Sequence, residues 1–332
     1  MKYKYYNVIS FSVAAVLAGV SMSSQADTFS IGTVFGKDHA VSVMAADFSE
    51  KLESYTDGSI RINVRNGSPF GDVYQISRQV ANGQRKIDVV SVSSDVDPRL
   101  TIGYMGGLVY NYEQAEDLYG VDGDFIELLN DIGSEAGFKY VAWAPTGFGG
   151  IAFRNDAPSE IPSPESYKTR SAPYRSMINR YAGLGFDPVP MAYSDTYTAL
   201  QTGAIDAKGA TPPQEAFQVF SDVMEEYLHT RDYFEGIIGV AVNLDWYENS
   251  ISDSEREAID KAGREATANI WATAEERETE FLEKLSEAGV KVTTFSDEEY
   301  KAISDLVKEH EWPEIEKLVG ADMMNRIENM AY

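Results

Sequence analysis

Lys168-Thr169-Arg170-Ser171-Ala172-Pro173, then Pro190-Met191-Ala192-Tyr193-Ser194-Asp195-Thr196-Tyr197-Thr198-Ala199-Leu200-Gln201-Thr202-Gly203-Ala204-Ile205-Asp206, then Ala210-Thr211-Pro212-Pro213 set one arginine, one aromatic and one turn in a fixed order. The run 167–171 reads as a strand that leads into a helix carrying Tyr174, Met177, Ile178 and Tyr181 on one face. Another helix runs near 194–202 and stops at Gly203.

The same alternation extends outward from this stretch. Residues 28–33 form an alternating strand; Val41, Met44, Phe48 and Leu52 share a helical face, with Gly58 as the stop. In 59–64, Ile60, Ile62 and Val64 fall on one side. Residues 72–82 make a helix through Val73, Ile76 and Val80 that ends at Gly83, and 87–92 is a further strand. This β-α-β-α-β order predicts a mostly parallel sheet, with ligand sites at the carboxyl ends of its strands. Downstream, 138–143, 150–154 and 236–243 read as strands and 156–164 as a proline-rich loop. Ser252 with Glu255 and Ser296 with Glu299 have capping-box spacing, and the first opens a helical region towards Ser286. There is no sequence repeat and no low-complexity tract. The pattern suits two α/β lobes around a cleft, crossed by the chain more than once.

Lys2 and Lys4 precede an apolar stretch from Val8 to Met22, and Ser24-Gln25-Ala26 places small residues three and one before a cut, the layout of a secretory leader cleaved after Ala26. About 306 residues then remain, enough for two domains. The formal charge of −25 becomes −27 when the two leader lysines go. Such acidity argues against nucleic acid and anionic lipid as partners, because both need a basic footprint. The absence of cysteine removes disulfides, thiolate catalysis and cysteine zinc sites. The core must therefore be held by packing alone.

The quoted motifs, Arg170 followed by Tyr197-x-Ala199-Leu200-Gln201-Thr202-Gly203-x-x-Asp206, resemble the solute-binding proteins of tripartite ATP-independent periplasmic (TRAP) transporters, the DctP family. The resemblance implies an α/β chain with the type II periplasmic-binding-protein fold: two α/β lobes around a ligand cleft, joined by crossing strands and a long helix. It divides the chain into a leader at 1–26, one lobe of 27–146 plus 236–273, and another of 147–235 plus 274–332. It implies that Arg170 grips the carboxylate of an organic acid, a role that suits the planar guanidinium because its two parallel N–H groups match two carboxylate oxygens. It also puts Tyr193 on the ligand's carbon skeleton, and implies two membrane subunits as partners. No cofactor, metal or catalytic residue is expected.

Other readings of these residues remain open. Arg170 can instead pair with Asp156 or Glu165, and Tyr193 can be an ordinary core aromatic at a helix start. The expected pocket set is Arg170, Tyr193, Thr211, Ala210, Phe148, Gly150, His39 and Asp95. Two positions depart from the family pattern. The usual asparagine falls at Ala210, where Thr211 or Lys208 can substitute, and the usual second arginine falls in Gly147-Phe148-Gly149-Gly150, with Arg154 nearby. Those losses predict a ligand with one carboxylate and a bulkier or less polar remainder, packed near Phe148 and Tyr193 in the room left at Gly149, Gly150 and Ala210. Gly147-x-Gly149-x-x-Ala152 is no dinucleotide fingerprint, since a strand and prolines follow it instead of a helix. There is no Gly-x-Ser-x-Gly elbow, and His229 and His310 have no metal-ligand spacing. The rival functions are a secreted hydrolase or carbohydrate-active enzyme, and a periplasmic sensor subunit.

Overall fold

The computed structural model describes residues 26–67, 69–71 and 73–332, with Met1. The expected leader at 2–25 and the expected helix start at Asp72 lie outside the described residues.

The first layer joins two sheets, the pair β1 (Asp27–Gly32) and β2 (Ile60–Arg65) and a three-stranded one that opens with β3 (Ile87–Val90), linked by α1 (Ala40–Tyr55) and α2 (Val73–Ala81). β1 and β2 run parallel, and the Gly32 N–H donates to the Asp88 carboxylate of β3 at 2.7 Å. After α3 (Tyr112–Tyr119) and α4 (Asp124–Glu135) comes β4 (Phe138–Ala144). The three-stranded sheet is antiparallel, where the sequence order predicts mostly parallel pairing. A much later strand (Ile238–Asn243, β12 below) lies between β3 and β4, antiparallel to both. Every residue of that strand is buried, so only a central position covers both of its faces.

The second sheet draws on β6 (Ile151–Phe153), β7 (Lys168–Ser171), β8 (Asp187–Pro190), β9 (Ala207–Lys208), β10 (Glu226–Leu228) and β13 (Lys291–Thr293), in the order β13-β10-β6-β9-β7-β8. β8 carries Pro188 and Pro190 and sits at the edge, where a missing N–H breaks no ladder. β5 (Gly147–Phe148) and β11 (Phe234–Glu235) pair antiparallel as the chain passes between the sheets. α5 (Arg175–Gly183) and α11 (Asp297–Val319) cover one face of the second sheet over Ile151, Phe153 and Ala207. α6 (Tyr193–Thr202), α7 (Pro213–Glu215) and α10 (Ala274–Glu287) cover the other over Ala152 and Tyr227.

Both predicted capping boxes form, at Ser252 for α9 (Asp253–Trp271) and at Ser296 for α11; α8 (Leu244–Asn249) precedes them. The expected helical run towards Ser286 is divided at Ala272–Thr273 into α9 and α10. α11 is long enough to touch both halves. Its earlier part packs on α5, while Ile315, beyond the internal Pro313, joins the core of α3 and α4. α12 (Ala321–Met330) follows it there, burying Met324 and Ile327, with Arg326 at 3.0 Å from Asp131 of α4. The tail 321–332 was expected with the second lobe. It packs on the first because its apolar face fits the surface of α4.

Candidate functional site

Arg170 on β7 and Lys208 on β9 are direct cross-strand neighbours, so their side chains leave the same face of the sheet. Both stand at the carboxyl ends of their strands. Arg170 is 7% exposed; its Nη2 donates to the Met191 carbonyl at 3.2 Å, and its Nε is buried without a partner. Among the described residues neither Asp156 nor Glu165 pairs with it; Glu165 instead accepts from the Tyr167 hydroxyl at 2.9 Å. Tyr193, the first residue of α6, presents its ring 6.0 Å from the Arg170 guanidinium and 5.9 Å from the Lys208 ammonium. The residue is 48% exposed, so the ring is open to solvent, while burial of the hydroxyl and the nearby Glu215 push that hydroxyl well above the usual phenol range.

Lys208 is fully engaged inside the protein. Its ammonium donates to the Ala210 carbonyl and the Thr211 hydroxyl, both at 2.9 Å, and lies 3.3 Å from Glu215. Burial holds it below the usual lysine range. This explains the departures at Ala210 and Thr211. Ala210 adopts a left-handed conformation (φ 54°), which turns its carbonyl onto the lysine, and Thr211 is fully buried in the same cradle. Arg154 stands elsewhere: its backbone bonds to Asp206 before β9 begins, and its guanidinium lies beside Gly203.

Several expected pocket residues face other ways. Phe148 is fully buried edge-on to Tyr112 and Phe234, inside the core. The expected space at Gly149 and Gly150 is already filled. A Cβ on Gly149 would stand 2.1 Å from the Tyr233 ring, and one on Gly150 would stand 2.4 Å from the Tyr227 hydroxyl, so these glycines allow two tyrosines to approach the backbone. Asp95 is an exposed partner of Arg78. His39 caps α1 by accepting from the Val41 N–H at 3.3 Å, and stacks on Phe35 with centroids 3.7 Å apart. Burial, then Arg277, pushes His39 down to about 3, so it is neutral at physiological pH.

Three side chains that the sequence did not single out complete the arrangement. Glu215 faces Lys208, and its Oε1 is buried without a partner. Glu235, on β11, accepts from the Thr146 hydroxyl, and burial pushes it up to about 7. Gln214 joins the halves: its amide donates to the Asp38 carbonyl at 3.1 Å and accepts from the Ala40 N–H at 3.4 Å. With 53 acidic residues in the chain, no spacing distinguishes Glu215 or Glu235 from the rest.

A second buried carboxylate lies behind the crossing strands. Glu278 of α10 accepts from the Phe148 N–H at 2.7 Å and the Tyr112 hydroxyl at 2.9 Å, and burial pushes it up to about 7 against the pull of Arg231. His229, pushed down to about 3 by burial, is neutral, so its 3.4 Å approach to Glu278 is no ion pair. A carboxyl raised in the fold supports stability below the ordinary carboxylate range and loses that support as the pH climbs through about 7. Glu278→Gln does not titrate. Its stability relative to the parent is therefore expected to improve by about 2–3 kcal/mol between pH 5 and pH 8, read from urea midpoints. A pH-independent difference would count against this assignment.

A groove of about 960 Å³ lies away from Arg170 between Tyr112 and Trp271. Six glutamates and no basic residue line it, which makes it a poor host for an anion. Among the described residues there is no cluster suited to a metal ion, and no helix is long and apolar enough to cross a membrane.

The family model "Bacterial extracellular solute-binding protein, family 7" (DctP) matches residues 31–316. A solute-binding protein of Chromohalobacter salexigens is 24% identical over 309 residues, covering 90% of each chain. Among solved structures, a TRAP periplasmic solute-binding protein from Ochrobactrum anthropi, with a C-terminus bound in its ligand-binding pocket, superposes with a TM-score of 0.79 at 21% identity over 92% of this chain and 95% of that one. Another, from a Sulfitobacter species with bound β-D-galacturonate, gives 0.77 at 18% identity over 92% and 99%.

Proposed function

Because the chain belongs to the bacterial extracellular solute-binding proteins of family 7 and has their type II periplasmic-binding fold, we propose that it captures an organic acid in the periplasm through Arg170 and delivers it to the membrane subunits of a TRAP transporter. One observation carries the reading. A buried guanidinium at the carboxyl end of a strand keeps an unpartnered N–H beside an open aromatic ring, and an arriving carboxylate supplies the missing acceptor. Tyr193 would pack on the carbon skeleton. The galacturonate held by the Sulfitobacter protein and the C-terminus held by the Ochrobactrum protein are both carboxylate-bearing groups, which supports this chemistry. Transport would draw on an ion gradient, with a leader cut after Ala26 placing the protein outside the inner membrane.

A thermal-shift screen of the purified protein against organic acids tests the reading. A ligand at 100 times its Kd adds about 2.7 kcal/mol to stability. A receptor returns that ligand unchanged, which separates it from a hydrolase. No stabilisation by any carboxylate would overturn the proposal.

Two expected outcomes follow. Gln214 bonds across the halves, so solute contacts to both should favour the closed arrangement. X-ray scattering should give a smaller radius of gyration with saturating solute; an identical profile would remove the hinge. Monocarboxylates should also bind at least about tenfold more tightly than C4-dicarboxylates, because a second carboxylate meets Glu235 while every Lys208 donor is already taken. Calorimetry that showed a preference for succinate or malate would reverse this conclusion.

A further inference from the structure

The first N–H groups of any α-helix have no partner within it. At the start of α1, His39 answers one of them by taking the Val41 N–H on its Nδ1, while its ring stacks on Phe35. The Ala40 N–H is answered from the other half of the molecule. The side-chain carbonyl of Gln214 accepts it at 3.4 Å, and the amide nitrogen of the same side chain donates to the Asp38 carbonyl at 3.1 Å. Both ends of the Gln214 amide are therefore engaged by the entry to α1, and the residue is 3% exposed. It also stands next to the solute site, directly before Glu215, which lies 3.3 Å from the Lys208 ammonium; Lys208 is the cross-strand neighbour of Arg170.

Each end of this contact is fixed to its own half. Gln214 follows Pro212 and Pro213, whose rings hold the backbone. Thr211, just before them, exchanges two backbone hydrogen bonds with Gly150 and accepts from the Tyr227 hydroxyl at 2.6 Å, which ties this turn to the second sheet. α1 is held in the first half by the buried Val41, Met44, Phe48 and Leu52. The two hydrogen bonds of Gln214 thus exist only while the halves stand together. Water takes the freed groups when the halves part, so the contact tunes closure and does not lock it. Resting on the receptor reading above, we infer that Gln214 is a positioning residue for solute retention: it touches no solute, and by joining α7 to α1 it sets how long a bound solute stays. A contact made only in the closed form, and not with the solute, favours closure by one amount whatever the solute. Solute enters and leaves through the open form, so the contact slows departure and leaves arrival alone.

Stopped-flow tryptophan fluorescence on the full chain gives association and dissociation rates for the parent, Gln214→Met and Gln214→Ala. D-Galacturonate, pyroglutamate and lactate are the first probes, joined by every acid that the thermal-shift screen returns. Methionine keeps the length of the side chain and loses both hydrogen bonds; alanine loses them and admits water, so either variant serves if the other misfolds. The dissociation rate should rise at least about fivefold, by the same factor for every acid, with association within about twofold of the parent. The urea midpoint of the solute-free protein should stay near the parent value. A parent-like dissociation rate, a loss that appears in association, or a loss that differs from acid to acid, as for a direct solute contact, would overturn the inference and leave the receptor reading intact. A lowered urea midpoint with parent-like rates would do the same, since it marks a bond that persists in both arrangements. If no acid bound the parent, the receptor reading would fall and this inference with it.

Discussion

Arg180→Ala is expected to lower the free energy of unfolding by about 3–5 kcal/mol, the largest effect of any single substitution considered for this chain. Arg180 projects from α5 with no exposed surface. Its Nε and Nη2 make a two-pronged contact with Glu311 of α11, both at 2.8 Å; Nη1 reaches Asp232 at 3.5 Å, and Nη2 also donates to the Tyr104 carbonyl. Glu311 holds the Gly106 N–H at 3.1 Å, and Asp232 accepts from the Tyr181 hydroxyl at 3.0 Å. Alanine would leave two carboxylates buried without their cation. That outcome costs far more than the net worth of an intact ion pair. Urea titration gives the answer, and a loss below about 1 kcal/mol would mean that the network relaxes or admits water. Arg180→Met combined with Glu311→Leu should cost less than Arg180→Ala, because it removes charges of both signs together.

The second large effect concerns solute capture. Arg170→Ala should weaken binding by about 1.5–3 kcal/mol, roughly 10- to 150-fold, because a charge-assisted contact is lost from a buried place. Arg170→Lys should also fall well short of the parent. An ammonium keeps the charge but not the planar fork, and it would stand beside Lys208 across the strand pair with less reach to Met191. Calorimetry on folded variants decides the matter. Parent-like affinity in Arg170→Ala would remove the arginine from the site.

Much of the fold could be read locally. Ser252 and Ser296 announced their helices because a capping box lies entirely within four residues, and Gly203 announced a stop because its left-handed conformation (φ 75°) suits glycine. The stretch 93–137 yielded little. Its 3-10 turn at Pro98–Tyr104 and its eight-residue α3 are too short for periodicity to register. The site divides along the same line. Arg170 and Tyr193 belong to neighbouring stretches of one ordered motif, and the structure brings them together. The room expected at Gly149 and Gly150 was inferred from side chains missing relative to the family pattern, which says nothing of what else arrives there. Tyr227 and Tyr233, from a distant part of the chain, occupy the space. Glu235 was missed for a related reason: its role depends on Thr146 across a pairing of two-residue strands.

The placement of α11 has a mechanical consequence. A rod fixed to two bodies must bend when they move relative to one another, and this rod carries its weak point where it passes from one to the other. Pro313 offers no N–H to the carbonyl four residues earlier and crowds it, which lowers the stiffness of the helix at that turn. The preceding residue is anchored, since the Trp312 indole donates to the Gly106 carbonyl at 2.9 Å. The helix is thus clamped beside its most compliant joint and behaves as a leaf spring. A change of angle between the halves would act first on the turn at Pro313, next to the Trp312 indole, whose emission would report it.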